Sequence, residues 1–432
     1  MAAPILLIGD EDLAEEVRRG LEALDADVVR LPHPTDREVA AAFDRGEVAR
    51  AVIVSRDDAF ALRMALMVRD VSDDTELLVT VFDPATAREL ETRLQPCTVT
   101  SMADIVAPTL AGPCLDESLG AVRLDSDTPV GVRTDGDEVH EVPIELPRVR
   151  RGEALLRALL TPYDKSAALM FFGAIGLVVV LALETAGGVI VLGQNVIDAF
   201  YGSTKTLVTV DPNDKVTDGP AWFKAFISLT MLCALVFEAF FTAGLVNRLI
   251  DRRLTGLVGR RAVPRRDHVV VVGLGQVGLR LCLLLRRIGI GVVAVDDREE
   301  RENVGQAREA GLPVVIGRGA DPSLLQRLSL ERAYALAAVT DDDLENVSIA
   351  MAVRSVCPGL RVVLRVGDGR LANETRSLFR FGIVRDVHRI AAALIAARAT
   401  GSGATQVVCR EEDAHLVHDD GRVEKAALAA AA

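Results

Sequence analysis

The sequence predicts two doubly wound α/β domains flanking a pair of membrane-crossing helices. Three observations lead to that expectation. Two long apolar runs stand in the middle of the chain between arginine clusters. A glycine-rich loop at residues 273–278 separates a strand pattern from a helix pattern. Residues 51–90 align without gaps to residues 336–375, so one domain type occurs twice.

At 432 residues the chain is long enough for two or three cores. Its formal charge of -13 argues against a nucleic-acid partner, which needs concentrated Lys and Arg. The six cysteines, Cys97, Cys114, Cys233, Cys282, Cys357 and Cys409, are scattered without CxxC spacing. Reduced thiols are expected, with no disulfide framework and no metal site. Met1 to Ile8 lacks a basic stretch and its apolar run is short, so no secretory leader is expected.

The first apolar run holds 18 uncharged residues between Lys165 and Glu184. The second runs from Ala225 to Asn247, where Glu238 is the only charge. A spanning helix needs ~20 mostly apolar residues, which places the spans at about 166–190 and 225–247. Arg148, Arg150, Arg151, Arg157 and Lys165 precede the first span; Arg248, Arg252, Arg253, Arg260, Arg261, Arg265 and Arg266 follow the second. Basic flanks stay on the cytoplasmic side. Both termini are therefore expected inside a cell membrane, with residues 184–224 outside. Tyr163 and Trp222 stand where interfacial aromatics are favoured.

Between the spans lies a third apolar stretch, Val196 to Val210, followed by Asp211-Pro212-Asn213-Asp214. Asp198, Ala199, Tyr201, Ser203, Thr206, Leu207, Thr209, Val210 and Asp214 resemble the pore helix and filter of two-transmembrane potassium channels. The resemblance implies a pore-type domain over 148–263 with a pore loop at 196–214. It also implies a homo-tetramer around one axis and monovalent cations as the permeating partners. An ion path through Thr209, Val210, Asp211, Pro212, Asn213, Asp214 and Glu238 follows from it. One departure is specific. Asp211-Pro212-Asn213 replaces the family's Gly-Tyr-Gly, whose glycines let carbonyls line the axis. Proline fixes its own φ and drives Asp211 toward extended backbone. Two readings follow: a ring of Asp211 and Asp214 carboxylates that selects cations coarsely, or a pore that no longer conducts. Glu238 either faces a wet cavity or bonds a polar neighbour such as Thr242, since a membrane-depth acid is a functional candidate. Glu184 is expected at the outer interface.

The C-terminal domain, residues 264–399, opens with strand Val269–Val272, then Gly273-Leu274-Gly275-Gln276-Val277-Gly278 and a helix. A second strand ends at Asp296-Asp297. In GxGxxG the first glycine makes the turn, the second admits a pyrophosphate, and the third packs helix on strand. The helix N-terminus favours the anion, and Asp296 is suited to accept from ribose hydroxyls. The ligand expected is NAD(H) or another adenine nucleotide (ATP/ADP). Strands at 314–316, 336–339 and 361–364 alternate with helical stretches, which means a parallel, Rossmann-like sheet. Gly317, Arg318, Asp321, Thr340, Asp341, Asp343 and Asn346 fall at strand ends, where ligands bind in this class. Together these residues resemble the TrkA-N or RCK domains, nucleotide- and ion-sensing regulators of potassium channels and transporters. That family usually has Asp where this chain has Arg318.

In the N-terminal copy, residues 1–111, the loop is degraded to Gly9-Asp10-Glu11-Asp12-Leu13-Ala14. Glu11 puts a carboxylate where a pyrophosphate would approach, and no acid follows the strand ending at Leu31. This copy reads as structural or assembly-forming. Residues 112–147 read as an acidic connector with a small β element, and 400–432 as a tail. His268 and His388 stand alone without a substrate domain, so no enzyme is expected.

Overall fold

The computed structural model describes residues 4–9, 11–44, 48–125, 128–135, 138–144, 165–208, 214–250, 266–367, 369, 371, 382–410, 413–418 and 420–426. It forms two compact units, residues 147–254 and the rest.

The larger unit starts with a five-stranded parallel sheet. Strands β1 (Ile5–Ile8), β2 (Val28–Leu31), β3 (Arg50–Ile53), β4 (Glu76–Thr80) and β5 (Cys97–Thr100) alternate with helices α1 (Asp12–Ala23), α2 (Asp36–Asp44), α3 (Asp58–Val71) and α4 (Pro84–Arg93). Spatial order is β2-β1-β3-β4-β5. Short runs such as Ile5–Ile8 are buried throughout, as central parallel strands are. Helix α5 (Met102–Leu115) follows, then an antiparallel three-stranded sheet, β6 (Ala121–Asp125), β7 (Thr128–Asp135) and β8 (Glu138–Pro143). The expected break at 111 therefore falls inside a helix, because Met102 to Cys114 is almost wholly apolar and buried.

The smaller unit has three helices. α6 (Lys165–Leu192) and α8 (Ala221–Ile250) are long, and α7 (Val196–Leu207) is short, its N-terminus capped by Asn195 accepting from the Asp198 amide at 2.8 Å. Leu169–Leu192 and Ala221–Val246 are long and apolar enough to cross a membrane. Their outer faces are not covered by protein: Ile190 is 80% exposed and Leu232 66%. Apolar surface on that scale requires lipid or other protein against it. Glycines on α6 allow the close approach of α8. A Cβ at Gly173 would stand 2.5 Å from the Phe241 nitrogen, and one at Gly176 2.4 Å from the Phe237 ring.

The chain then repeats its first domain. Strands β9 (His268–Val272), β10 (Gly291–Asp296), β11 (Val314–Ile316), β12 (Ala333–Ala338), β13 (Arg361–Val366) and β14 (Ile383–Asp386) form a parallel sheet of order β11-β10-β9-β12-β13-β14. Helices α9 (Gln276–Arg287), α10 (Glu302–Glu309), α11 (Pro322–Arg327) and α12 (Asp343–Val356) connect them. α13 (Val387–Ala399) closes the domain. The order matches the first sheet with one edge strand, β11, added.

Hydrogen bonds repeat along with the strands. Asp57 caps α3 by accepting from Ala59 and Phe60, and Asp342 caps α12 by accepting from Leu344 and Glu345. Asp58 accepts from the Phe82 amide and Asp343 from the Gly367 amide, each at 2.9 or 2.8 Å. The same register carries on to the caps of α5 and α13, Ser101 and Asp386.

Residues after Thr400 are not a tail. They form β15 (Ala404–Arg410), β16 (Asp413–His418) and β17 (Val423–Lys425), an antiparallel sheet that corresponds to β6–β8. Alternation in Val407, Cys409, Ala414 and Leu416 buries one face against the shared core. The two copies have that core in common: residues of α1, α5, α9, α13 and both large sheets form one hydrophobic cluster. α5 packs on α9 and on β12, β13 and β14 of the other copy, while α13 packs on α1.

Candidate functional site: the glycine loop and its surroundings

The expected nucleotide residues converge at the C-terminal ends of β9, β10 and β12. Gly273 sits at φ +100°, and a Cβ there would come 2.7 Å from the Thr340 nitrogen. At Gly278 a Cβ would collide with the Gly273 carbonyl at 1.8 Å. Those two glycines shape the turn. Gly275 differs: its Cβ direction is open, and the nearest group is Asp341 Oδ1 at 3.4 Å. The backbone is thus open at Gly275, at the N-terminus of α9, the helix end that favours an anion. Leu274 and Val277 are buried beneath the loop, and Gln276 opens the helix.

Asp296 is only 3% exposed. Its Oδ2 accepts from the Leu274 amide at 2.7 Å and its Oδ1 from the Arg298 amide at 3.0 Å, with Arg301 Nε 3.5 Å away. The carboxylate thereby ties β10 to the glycine loop, a structural task beyond the ribose contact that the sequence suggests. Asp297 and Arg318 are exposed. Gly317 donates to the Asp296 carbonyl at 2.8 Å, so this strand end is fixed to the loop. Asp321 caps α11 through the Ser323 amide at 2.8 Å and is committed to that turn. Gly319, absent from the sequence reading, is the tight position here: a Cβ would sit 2.3 Å from Val272 Cγ1.

Thr340, Asp341 and Asn346 form the third wall. Asn346 is buried, and its side chain accepts from the Thr340 amide at 2.9 Å and donates to the Arg365 carbonyl at 3.0 Å. It holds the strand end rather than facing a ligand. Asp343, bonded to Gly367, is likewise part of the repeat scaffold.

Two arginines missed by the sequence reading meet Asp341. Arg365, 3% exposed, donates to Asp341 Oδ1 at 2.8 Å and to the Thr340 carbonyl at 3.0 Å. Arg56 comes from the N-terminal copy and reaches the same oxygen at 3.0 Å. Burial would raise the Asp341 carboxyl, but the Arg365 hydrogen bond and then the charges of Arg365 and Arg56 outweigh it and hold it below the ordinary carboxylate range. Gln276 also donates to the Arg56 carbonyl at 3.2 Å. The mouth of the glycine loop is therefore walled partly by the other copy. Arg365 reaches Asp341 from the neighbouring strand β13 of the same copy, whereas only the pairing of the copies brings Arg56 there, so a strand-by-strand reading had no signal for Arg56.

The corresponding mouth in the N-terminal copy is filled. Glu11 Oε1 accepts from the Arg56 amide at 3.2 Å, across the place where Gly275 leaves room in the other copy. Ala14 replaces the packing glycine, 3.1 Å from where a Gly9 Cβ would stand.

In the smaller unit, Thr209 to Asn213 of the proposed ion path lie outside the described residues, as does the side chain of Asp214, whose backbone begins a short 3-10 turn. Glu238 is exposed on α8. Glu184, the acid expected at the outer interface, is buried between the helices at 3% exposure, with Thr230 Oγ1 2.6 Å from its Oε1. The sequence offers Thr242 as a partner for Glu238; the helix packing gives Thr230 to Glu184. Among the described residues, no group of three or more His, Cys, Asp or Glu is arranged to hold a metal. His268 is buried in β9 with its Nε2 3.1 Å from the Leu328 carbonyl.

Residues 269–381 match the TrkA-N domain. The voltage-gated potassium channel Kch of Escherichia coli (strain K12) is 24% identical over 187 residues, 42% of this chain and 45% of that channel. A Trk system potassium uptake protein TrkA homolog of Pyrococcus abyssi (strain GE5 / Orsay) is 25% identical over 154 residues, 35% of this chain and 67% of that protein. Among solved structures, the GsuK channel superposes with a TM-score of 0.51 at 15% identity, covering 93% of this chain and 64% of that one. The GsuK channel bound to NAD gives a TM-score of 0.50 at 15% identity and the same coverage. Residues 269–381 thus match a TrkA-N domain, and the chain shares the fold of the GsuK channel. Its sequence similarities include a channel and potassium-uptake proteins.

Proposed function

We propose that this chain is a subunit of a nucleotide-regulated, potassium-channel-like cation channel in the cell membrane. Four copies surround one axis, with both termini cytoplasmic. The observation that carries this reading is the combination of an open glycine loop at Gly275 with two long apolar helices and an intervening capped helix, α7, in one chain. The C-terminal copy binds an adenine nucleotide, NAD(H) or ATP/ADP; Gly275 leaves room for the pyrophosphate in the turn that Gly273 and Gly278 shape, and Asp296 and Asp297 face the ribose. The nucleotide enters beside Asp341 and so meets the seam with the N-terminal copy. A ligand that favours one arrangement of the copies shifts its population by the difference in affinity. That domain follows α8 in the chain, its first strand beginning at His268 after α8 ends at Ile250, so a rearrangement acts on the second span.

Cations pass residues 209–214. Asp211 and Asp214 carboxylates select cations over anions, and potassium over sodium only weakly, because Asp211-Pro212-Asn213 lacks the glycines of a close carbonyl cage. That same substitution favours a second reading, a non-conducting, membrane-anchored nucleotide sensor. The test is planar-bilayer recording of purified protein with K⁺/Na⁺ and K⁺/Cl⁻ gradients, with and without NAD, ATP or ADP. Cation current that changes with nucleotide, and no longer does so in Asp296→Ala, is the expected result. Silence under every nucleotide, with binding intact, selects the sensor.

A further inference from the structure

The two copies are not interchangeable at their shared seam, and the difference is written in charge. Arg56 and Asp341 occupy equivalent positions in the repeat, yet they touch each other at 3.0 Å. Equivalent positions that touch lie on the local two-fold axis relating the copies, as in an isologous interface. In a pair of identical domains such a position meets itself. Two C-terminal copies would bring Asp341 against Asp341; two N-terminal copies, Arg56 against Arg56. The observed pair has opposite signs.

A second position shows the same pattern off the axis. On α9, Arg280 pairs with Asp104 of α5 at 3.0 Å, donates to the Phe82 carbonyl at 2.8 Å and stacks over the Phe82 ring at 4.8 Å. The repeat equivalent of Arg280 is Glu16 on α1, and that of Asp104 is Arg389 on α13. α1 and α13 make the reciprocal contact of the seam. Both charges are thus inverted between copies. Pairing C-terminal with C-terminal copy would set Arg280 toward Arg389; pairing N-terminal with N-terminal would set Glu16 toward Asp104. By repeat equivalence each homotypic pairing sets like charges together on the axis and at both flanks, although in the observed pair Glu16 bonds Arg19 of its own helix.

We infer that the N-terminal copy, with its nucleotide loop closed by Glu11, serves as a dedicated partner whose charges admit only a C-terminal copy across this face. Both copies contribute buried apolar residues to the seam, and like charges at matched positions supply the discrimination. The inference rests on the repeat and the seam, and is independent of whether nucleotide binds.

Two native thiols report on the seam. Cys114 of α5 and Cys282 of α9 are fully buried, on the two helices that pack there. Full-length protein would be labelled with a thiol reagent and each cysteine read separately by mass spectrometry. The reversed variant Arg56→Asp/Asp104→Arg should speed labelling of both by about tenfold or more, the factor that accompanies 1.4 kcal/mol. The neutral variant Arg56→Gln/Asp104→Asn should fall between it and wild type. Adding Asp341→Asn and Arg280→Gln to the reversed variant removes both repulsions, and should return labelling to the neutral level. Raising NaCl to about 1 M should compress the reversed-to-neutral gap, because partly exposed charges are screened. Wild-type labelling in the reversed variant, or no relief from the two added substitutions or from salt, would overturn the charge code.

Discussion

At the scale of single residues, Asp296 shows how one side chain answers two demands. A carboxylate at the end of the second strand is suited to a ribose, and in the fold it also fastens the glycine loop through the Leu274 amide. The two roles separate by substitution. Asp296→Asn keeps an oxygen for Leu274 and loses the charge; Asp296→Ala loses both. Calorimetry with NAD should show both variants weakened, by about 1.5–3 kcal/mol if a charged hydrogen bond is lost. Thermal unfolding should separate them, with Asp296→Ala less stable because a buried amide is left unpaired. Equal NAD affinity in wild type and Asp296→Asn would remove the ribose assignment. Gly278 offers a simpler case. Its Cβ position lies 1.8 Å from a backbone oxygen, so Gly278→Ala must shift the turn and should lower stability by at least about 1–3 kcal/mol, read as a lower Tm.

Among elements, α5 and α13 decide most. Helix α5 is apolar on every side and contains Pro108 and Pro113, a pattern that reads poorly as either surface helix or linker. It is apolar all round because it packs on its own copy's small sheet and on the other copy's large one. α13 brings His388 into the interior. Burial, then the charges of Arg365 and Arg56, hold that imidazole below its usual value, and burial does the same for His268 in β9. Unfolding returns each to the ordinary value of 6.5. Both are neutral in the fold near pH 7. As pH falls below 6.5 the unfolded chain takes up protons first, so stability present above that value is lost on acidification. The Tm of the α/β unit should be flat above about pH 7 and fall toward pH 5.5, with a slope of at most ~1.4 kcal/mol per pH unit for each histidine. His388→Gln should flatten that fall. A Tm that stays constant to pH 5.5 would show that these rings remain solvated.

For the whole molecule, the prediction concerns which side of the membrane each segment faces. Arginine clusters flank both long helices, so the α/β unit and the termini should be cytoplasmic. Single cysteines at Asp218 and at Gly401, in a background without native cysteines, would be probed on intact cells with an impermeant thiol reagent. Labelling is expected at 218 alone; the reverse pattern would invert the topology.

The long apolar helices, the parallel order around Gly273-Leu274-Gly275 and the repeat of Asp57-Asp58 in Asp342-Asp343 were legible because each is a local pattern. Length, strand-end spacing and capping residues need no knowledge of distant neighbours. The strands after Thr400 were not legible as strands because they are short, polar on one face and interrupted by charges. Nor was the burial of Glu184, which depends on the side of α8 that α6 meets, a choice made by Gly173 and Gly176 against Phe237 and Phe241. The sequence by itself determined two copies of one fold and an open glycine loop in only the second. Only the tertiary structure placed Arg56 beside Asp341 and Arg280 beside Asp104, because those contacts join residues far apart in the chain, through helices packed across the seam between copies.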